Sequence, residues 1–321
     1  MDQEVLKVEE LCIHIHSEDR DYPVVEHVSF EVLPEHTLCI VGESGCGKTM
    51  TALSIMGLLP PNASASGKVI FKGQNLLELE KEQIRRIRGK EISMVFQDPL
   101  TSLNPVLTIF EQIREIFEAH DPIPSHLLEN RVVEVLQEVS IPDAQHKVHA
   151  YPHQLSGGMR QRVLIGMALA LGPTLVIADE PTTALDVTIQ AEILELFNCL
   201  KKEKGLSAIY ITHDLSVVSE VGDEILIMYA GMVVEKGPKY QILTDPAHPY
   251  TQGLLKSSPS YEKRGRPLPF IPGNVPSPEE KGKGCPFYPR CELSKRECEI
   301  SLPPITSLGP GHVVRCWEIR R

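Results

Sequence analysis

No stretch of the 321-residue sequence approaches the ~20 consecutive apolar residues that a membrane-spanning helix needs. Any work at a membrane is therefore expected to pass through partner proteins. The opening residues Met1-Asp2-Gln3-Glu4 are acidic and lack the apolar region of a signal peptide, so the chain is expected in the cytosol. Basic residues are in deficit, with 32 Lys plus Arg against 43 Asp plus Glu and a formal net charge of −11. That balance argues against a nucleic-acid partner, which usually meets a basic face. No C-x₂-C pair occurs, so a zinc-ribbon reading is poor. Disulfides are disfavoured in a reducing compartment, and the scattered Cys12, Cys39, Cys46 and Cys199 read as ordinary buried or unpaired thiols. The length is ample for one large domain or two.

What the sequence does have is concentrated at residues 42–49, Gly-Glu-Ser-Gly-Cys-Gly-Lys-Thr. The apolar run Thr37–Val41 before it suits a buried strand, and Met50–Met56 after it can continue as a helix. Strand, glycine loop and helix in that order are the setting of a G-x-x-x-x-G-K-[ST] phosphate loop. Gly42, Gly45 and Gly47 let successive N–H groups converge on phosphate oxygens, and the helix N-terminus adds partial positive charge there. Glu43, Ser44, Cys46 and Met50 complete the expected cradle. Lys48 is expected on the β- and γ-phosphates and Thr49 on Mg²⁺. A helix N-terminus also tends to lower a thiol pKa, so Cys46 is expected to be reactive.

Around this loop the chain falls into recognisable segments. Residues 5–33 alternate apolar and polar, as antiparallel strands do. Tyr22 or His16 is a candidate for stacking on adenine. Residues 60–67 read as a loop before a strand at Val69–Phe71. Ile92–Gln97 reads as a strand ending on a polar residue. Apolar stripes follow at Ile109, Ile113, Ile116 and Phe117, then at Leu127, Leu128, Val132, Val135, Leu136 and Val139. The block from about 98 to 165 therefore reads as an inserted helical subdomain. Ser156, Gly157 and Gly158 open a helix, either as a second anion-binding device or as a plain cap. Leu175–Ala178 is an apolar strand that delivers Asp179 and Glu180 at its C-terminal end, where α/β proteins bind ligands. Asp179 is expected on Mg²⁺, and Glu180 is expected to orient or deprotonate water. The loop Ala184-Leu185-Asp186 and the strand-end His213 follow.

In this order the pieces resemble the nucleotide-binding subunits of ABC transporters over residues 5–240. The resemblance is carried by Gly42–Thr49, Gln97, the signature Leu155–Gln161, Asp179-Glu180, Ala184–Asp186 and His213. It implies an α/β phosphate-loop (RecA-like) ATPase core with an antiparallel β subdomain, an inserted helical subdomain and a small C-terminal metal-binding tail. Glu180, His213 and Gln97 would be catalytic. Thr49, Gln97 and Asp179 would serve Mg²⁺. The Ser156–Gly158 segment and Asp186 would complete the ATP site of a second subunit in a head-to-tail pair. The implied partners are that second ATPase subunit (usually a different homologue), two membrane permeases and an extracytoplasmic solute-binding protein. The implied location is the cytoplasmic face of the inner membrane, with the chain bound peripherally.

Beyond about residue 240, Asp245–Leu255 resembles the C-terminal extension of the oligopeptide/dipeptide branch, which also includes nickel and glutathione importers. Residues 258–284 are rich in Pro, Gly and charge, as a linker would be. Cys285, Cys291, Cys298 and Cys316 follow on short loops. A [4Fe–4S] cluster, zinc or free thiols remain open from the residues. The resemblance favours the cluster, since some dipeptide-importer ATPases carry one at such a tail. The division expected is 1–240 for the cassette and 241–321 for the extension. The ATP site is expected to be independent of that tail. A cassette protein without a transport role is the alternative, but such proteins usually carry two cassettes or a long coiled-coil insertion, and neither is present.

Overall fold

A computed structural model describes residues 4–18, 20–121, 123–183, 185–258 and 269–319. Residue 184 of the expected 184–186 loop, residues 259–268 of the expected linker and residues 1–3 lie outside the described residues. The chain forms two compact units, one of residues 1–78 with 210–321 and the other of residues 79–209.

The first unit begins with β1 (Leu6–His16) and β2 (Asp21–Val32), paired antiparallel with Val8 opposite Phe30 and Leu11 opposite Val28. The period-two pattern turns Leu6, Val8, Leu11 and Ile13 into the core. Next come β3 (Thr37–Val41), buried along its whole length, and α1 (Lys48–Ile55). β4 (Ala63–Phe71) and β5 (Gln74–Asn75) complete a sheet of order β2-β1-β4-β5. The loop expected through Gly67 is thus corrected. Ala63–Ser66 are strand because β1 offers them a free edge, with Ile15 opposite Ala63 and Cys12 opposite Ser66. Turn-rich composition lost to available ladder partners.

The second unit opens with α2 (Lys81–Ile87) and β6 (Ile92–Val95). Helices α3 (Pro99–Ser102), α4 (Ile109–His120), α5 (Ser125–Glu138), α6 (Ala144–Lys147) and α7 (Gly157–Leu169) follow. Among the described residues from 98 to 165 there is no strand. Thr108 and Glu111 close a capping box at the start of α4. Ile109, Ile113 and Phe117 are buried on its stripe, whereas Ile116 is only half-buried. Gln112 is buried instead, its amide satisfied by the Asn104 backbone at 2.8 and 3.2 Å. On α5 the expected stripe is buried except for Leu127, which faces solvent. β7 (Leu175–Asp179) runs parallel to β6, with Ile92 opposite Leu175, and α8 (Val187–Lys204) ends the unit's helices.

β8 (Ser207–Thr212) carries the chain back into the first unit. There α9 (Leu215–Val221), β9 (Glu224–Tyr229) and β10 (Met232–Pro238) lead to α10 (Lys239–Thr244) and α11 (Pro249–Ser257). The chain finishes with α12 (Arg296–Ile300), β11 (Ile305–Gly309) and β12 (His312–Arg315). β9 is parallel to β3, with Leu38 opposite Glu224 and Val41 opposite Ile227. Within this unit the strands run β11-β12-β10-β9-β3, so the last segment of the chain extends the sheet that holds the phosphate loop. One buried carboxylate fastens it. Glu235 accepts hydrogen bonds from Ala247 N at 2.7 Å and His248 N at 3.0 Å, and its carboxylate lies 2.9 Å from His312 Nε2. With three partners the buried charge is compensated, and removing one partner would leave it exposed to the full desolvation penalty.

Candidate nucleotide site and cysteine segment

In the first unit, β3 runs into the loop Gly42–Gly47 and then into α1. Gly42 is required by close approach, since a Cβ there would sit 2.3 Å from Met228 O. Gly47 is required twice over: its φ is +98°, and a Cβ would come within 2.9 Å of Val24 O. Ser44, Gly45 and Thr49 are exposed at the rim, while Lys48 is buried beneath it. The Lys48 ammonium donates to Gly42 O at 2.7 Å and Glu43 O at 3.0 Å. A cation seated under a ring of backbone N–H groups at a helix N-terminus is built to receive an anion with several oxygens.

Cys46 departs from expectation. Its side chain is fully buried, and burial raises the thiol pKa more than nearby Lys48 lowers it. The reactive thiol expected from the helix N-terminus is therefore corrected to a covered one, because desolvation outweighs the nearby Lys48 charge and the loop's backbone hydrogen bonds. Cys199, expected to be an ordinary buried or unpaired thiol, is exposed on α8.

His16 and Tyr22 lie on β1 and β2 of the same unit. The His16 ring nitrogens engage Asp21 at 2.7 Å and Ser64 at 2.9 Å. Arg20 covers Tyr22, 4.9 Å from the ring centroid. His213 is exposed between β8 and α9, and Asp214 after it caps α9 by accepting from Ser216 N.

In the second unit, β7 delivers Asp179, buried, and then Glu180 in the left-handed region at φ +45°. A non-glycine residue held there stores strain, and such strain concentrates at functional positions. Gln97 Nε2 donates to Glu180 Oε2 at 3.1 Å, and Thr183 Oγ1 donates to the same oxygen at 3.0 Å. Residues far apart in sequence thus hold one carboxylate in one orientation. Ser156 caps α7, accepting from Met159 N at 3.3 Å, and Ser156 and Gly157 are both exposed. Gly158 packs where a Cβ would lie 2.8 Å from Ile189 Cγ2. Asp186 caps α8, accepting from Thr188 N and Ile189 N, both at 3.1 Å.

Back in the first unit, Cys285, Cys291, Cys298 and Cys316 line one cavity. The Cys285 thiol is pushed up to about 11, first by burial and then by the neighbouring cysteines. Burial likewise raises Cys291 and Cys316. Among the described residues no three Cys, His, Asp or Glu side chains converge to hold a metal ion. The expected metal-binding tail is accordingly seen only as four thiols around a shared space.

Three residues that the sequence reading passed over reach the nucleotide loop or its approach. Tyr250 OH accepts from Glu43 N at 2.9 Å. Arg290 clasps the Glu43 carboxylate at 2.6 and 3.0 Å. Lys281 donates to Pro23 O at 3.0 Å and to Glu26 at 2.8 Å. Only the stretch around Tyr250 carried a signal, through its resemblance to the peptide-branch extension.

Comparison with known proteins agrees with this geometry. The family profile described as "ABC transporter" matches residues 25–183, and "Oligopeptide/dipeptide transporter, C-terminal region" matches residues 234–298. A probable peptide ABC transporter ATP-binding protein of Sinorhizobium fredii is 46% identical over 318 residues, covering 98% of this chain and 95% of the relative. A Brucella ovis protein named for peptide import and ATP binding is 44% identical over 331 residues, covering 98% of both chains. Among solved structures, a dimeric ATP-binding cassette in a post-hydrolysis state with ADP and Pi superposes with a TM-score of 0.65 at 26% identity, over 73% of this chain and 98% of that one. A Clostridium perfringens component of the cbiONQ ABC transporter complex gives 0.64 at 26%, over 75% and 91%. Among the described residues no helix is long and apolar enough to cross a membrane.

Proposed function

The chain belongs to the ABC transporter family as an ATP-binding subunit of the oligopeptide/dipeptide importer type, and from that premise we propose how its residues share the work. It hydrolyses ATP to drive import of di- or oligopeptides, working with membrane permeases and pairing with a second cassette. The observation that carries the ATP reading is Lys48, buried under the glycine loop with its ammonium parked on two loop carbonyls. An incoming triphosphate offers that ammonium stronger, charged acceptors.

Residues Gly42–Met50 cradle the phosphates, with Lys48 on the β- and γ-phosphates. Thr49, Gln97 and Asp179 would hold Mg²⁺, whose charge would offset that of the phosphates. Glu180 orients and deprotonates water, and His213 assists at the γ-phosphate. Ser156, Gly157, Gly158 and Asp186 complete the ATP site of the paired subunit. The exposure of Ser156 and Gly157 supports this, since a segment reserved for another chain must reach the surface. The second subunit is a different homologue, and an extracytoplasmic binding protein supplies the solute at the inner membrane. Residues 1–240 form the cassette, with the helical block at about 98–165 facing the permease, and 241–321 form the extension. In vesicles containing both permeases, the binding protein and both ATPase subunits, ATP hydrolysis should rise several-fold when a dipeptide is added. Hydrolysis indifferent to every di- and oligopeptide tried would overturn the peptide assignment while leaving the ATPase intact.

We also propose that Cys285, Cys291, Cys298 and Cys316 hold a [4Fe–4S] cluster. One observation supports it: the four thiols line a single cavity. The bound cluster would supply covalent links between loops that have little apolar core of their own. Protein purified without oxygen should be brown, with about four irons per chain, and Cys298→Ser should be colourless. Colourless wild-type protein containing stoichiometric zinc would refute the cluster.

A further inference from the structure

Arg290 lies in the short turn Tyr288–Arg290, between Cys285 and Cys291, yet its side chain reaches the phosphate loop and is only 5% exposed. Each of the guanidinium's five N–H donors finds an acceptor. Nη1 meets Glu43 Oε2 at 2.6 Å and Tyr229 OH at 3.3 Å, and Nη2 meets Glu43 Oε1 at 3.0 Å and Ile271 O at 3.2 Å. Nε meets Pro272 O at 2.9 Å. Tyr229 and Phe287 place their rings 5.7 and 6.0 Å from the guanidinium carbon. Such saturation leaves Arg290 a single conformation. Glu43 is gripped at its other end too, its N–H by Tyr250 OH and its carbonyl by the Lys48 ammonium.

We propose that Arg290 is a positioning residue for the phosphate loop: the cysteine segment braces Glu43 through it, and Glu43 so held keeps the loop backbone in the shape that receives phosphate. Order in the residues flanking Arg290 then sets the affinity for ATP. This deepens the ATP reading above and rests on it. It runs counter to the expectation that nucleotide binding is independent of the tail, because tail and loop meet directly at this ion pair. A lysine supplies charge without the planar fork, so it restores the brace only in part.

The test uses the full purified subunit and Mg-ATP. Titration calorimetry should show Arg290→Met weakening binding at least tenfold, with Arg290→Lys in between. Glu43→Gln should weaken binding comparably, and the double variant no more than Arg290→Met alone, since both break one pair. In the assembled transporter, KM for ATP should rise while kcat at saturating ATP stays within about twofold of wild type. A purely architectural arginine would lower melting temperature and active fraction without that split. Wild-type affinity in correctly folded Arg290→Met, or losses that multiply in the double variant, would overturn the brace. If Arg290→Met does not fold, Glu43→Gln decides, and unchanged affinity there overturns the brace equally. Wild-type protein that fails to bind ATP would instead sink the nucleotide reading.

Discussion

Glu180→Gln should bind Mg-ATP nearly as tightly as the parent chain and fail to turn it over, with kcat down by about 10²–10⁴-fold. The amide keeps the shape that Gln97 and Thr183 already hold, and its carbonyl oxygen, placed where Oε2 now sits, can still accept both hydrogen bonds. Its basicity is gone, so the attacking water keeps its proton. The substitution leaves the Lys48 ammonium in place as a phosphate ligand, which is why affinity should persist. Mixed with the second cassette subunit, ATP-bound chains unable to hydrolyse should accumulate as closed dimers, visible by size-exclusion chromatography with ATP and absent with ADP. Phosphate release at the parent rate in the assembled transporter would remove Glu180 from the chemistry. Its strained backbone at φ +45° would then need another explanation.

Lys48→Ala should fail one step earlier. Loss of the ammonium removes charge-assisted bonds to two phosphates, together worth about 2–4 kcal/mol, or about 30- to 700-fold in Kd. The two carbonyls that now hold the ammonium, Gly42 O and Glu43 O, would also lose their shared donor, and the loop should slacken. Equilibrium titration with ATP separates the two variants cleanly: Glu180→Gln saturates where the parent does, whereas Lys48→Ala does not. An unaltered Kd in Lys48→Ala would mean that the nucleotide sits elsewhere.

The phosphate loop, the acidic pair after β7 and the helical stripes were legible because each is a local pattern. Spacing, glycine placement and apolar periodicity act over a few residues, and the fold honours them. Cys46 shows where local logic fails. A helix N-terminus is visible in sequence, but Cys46 also meets distant backbone, its carbonyl accepting from Gly231 N, and desolvation decided the outcome. The contacts of Arg290 and Tyr250 with the phosphate loop were illegible for a related reason. Their partner Glu43 lies 247 and 207 positions away, and no periodicity announces a contact of that range. The 63–67 segment was misread because its turn-like composition says nothing about the open edge β1 would offer it.

β3 leads straight into the phosphate loop, yet its parallel neighbour β9 is encoded near the end of the cassette, with Leu38 opposite Glu224. On the ribosome, at about 5–20 residues per second, the nascent strand waits on the order of ten to forty seconds for that neighbour to emerge. The intervening residues 79–209 form a compact unit of their own and can collapse during the wait. The nucleotide loop is thus read out early and assembled late. A nascent chain halted before β9 would carry a complete signature segment, no finished place to hold ATP, and an apolar strand open to chaperones.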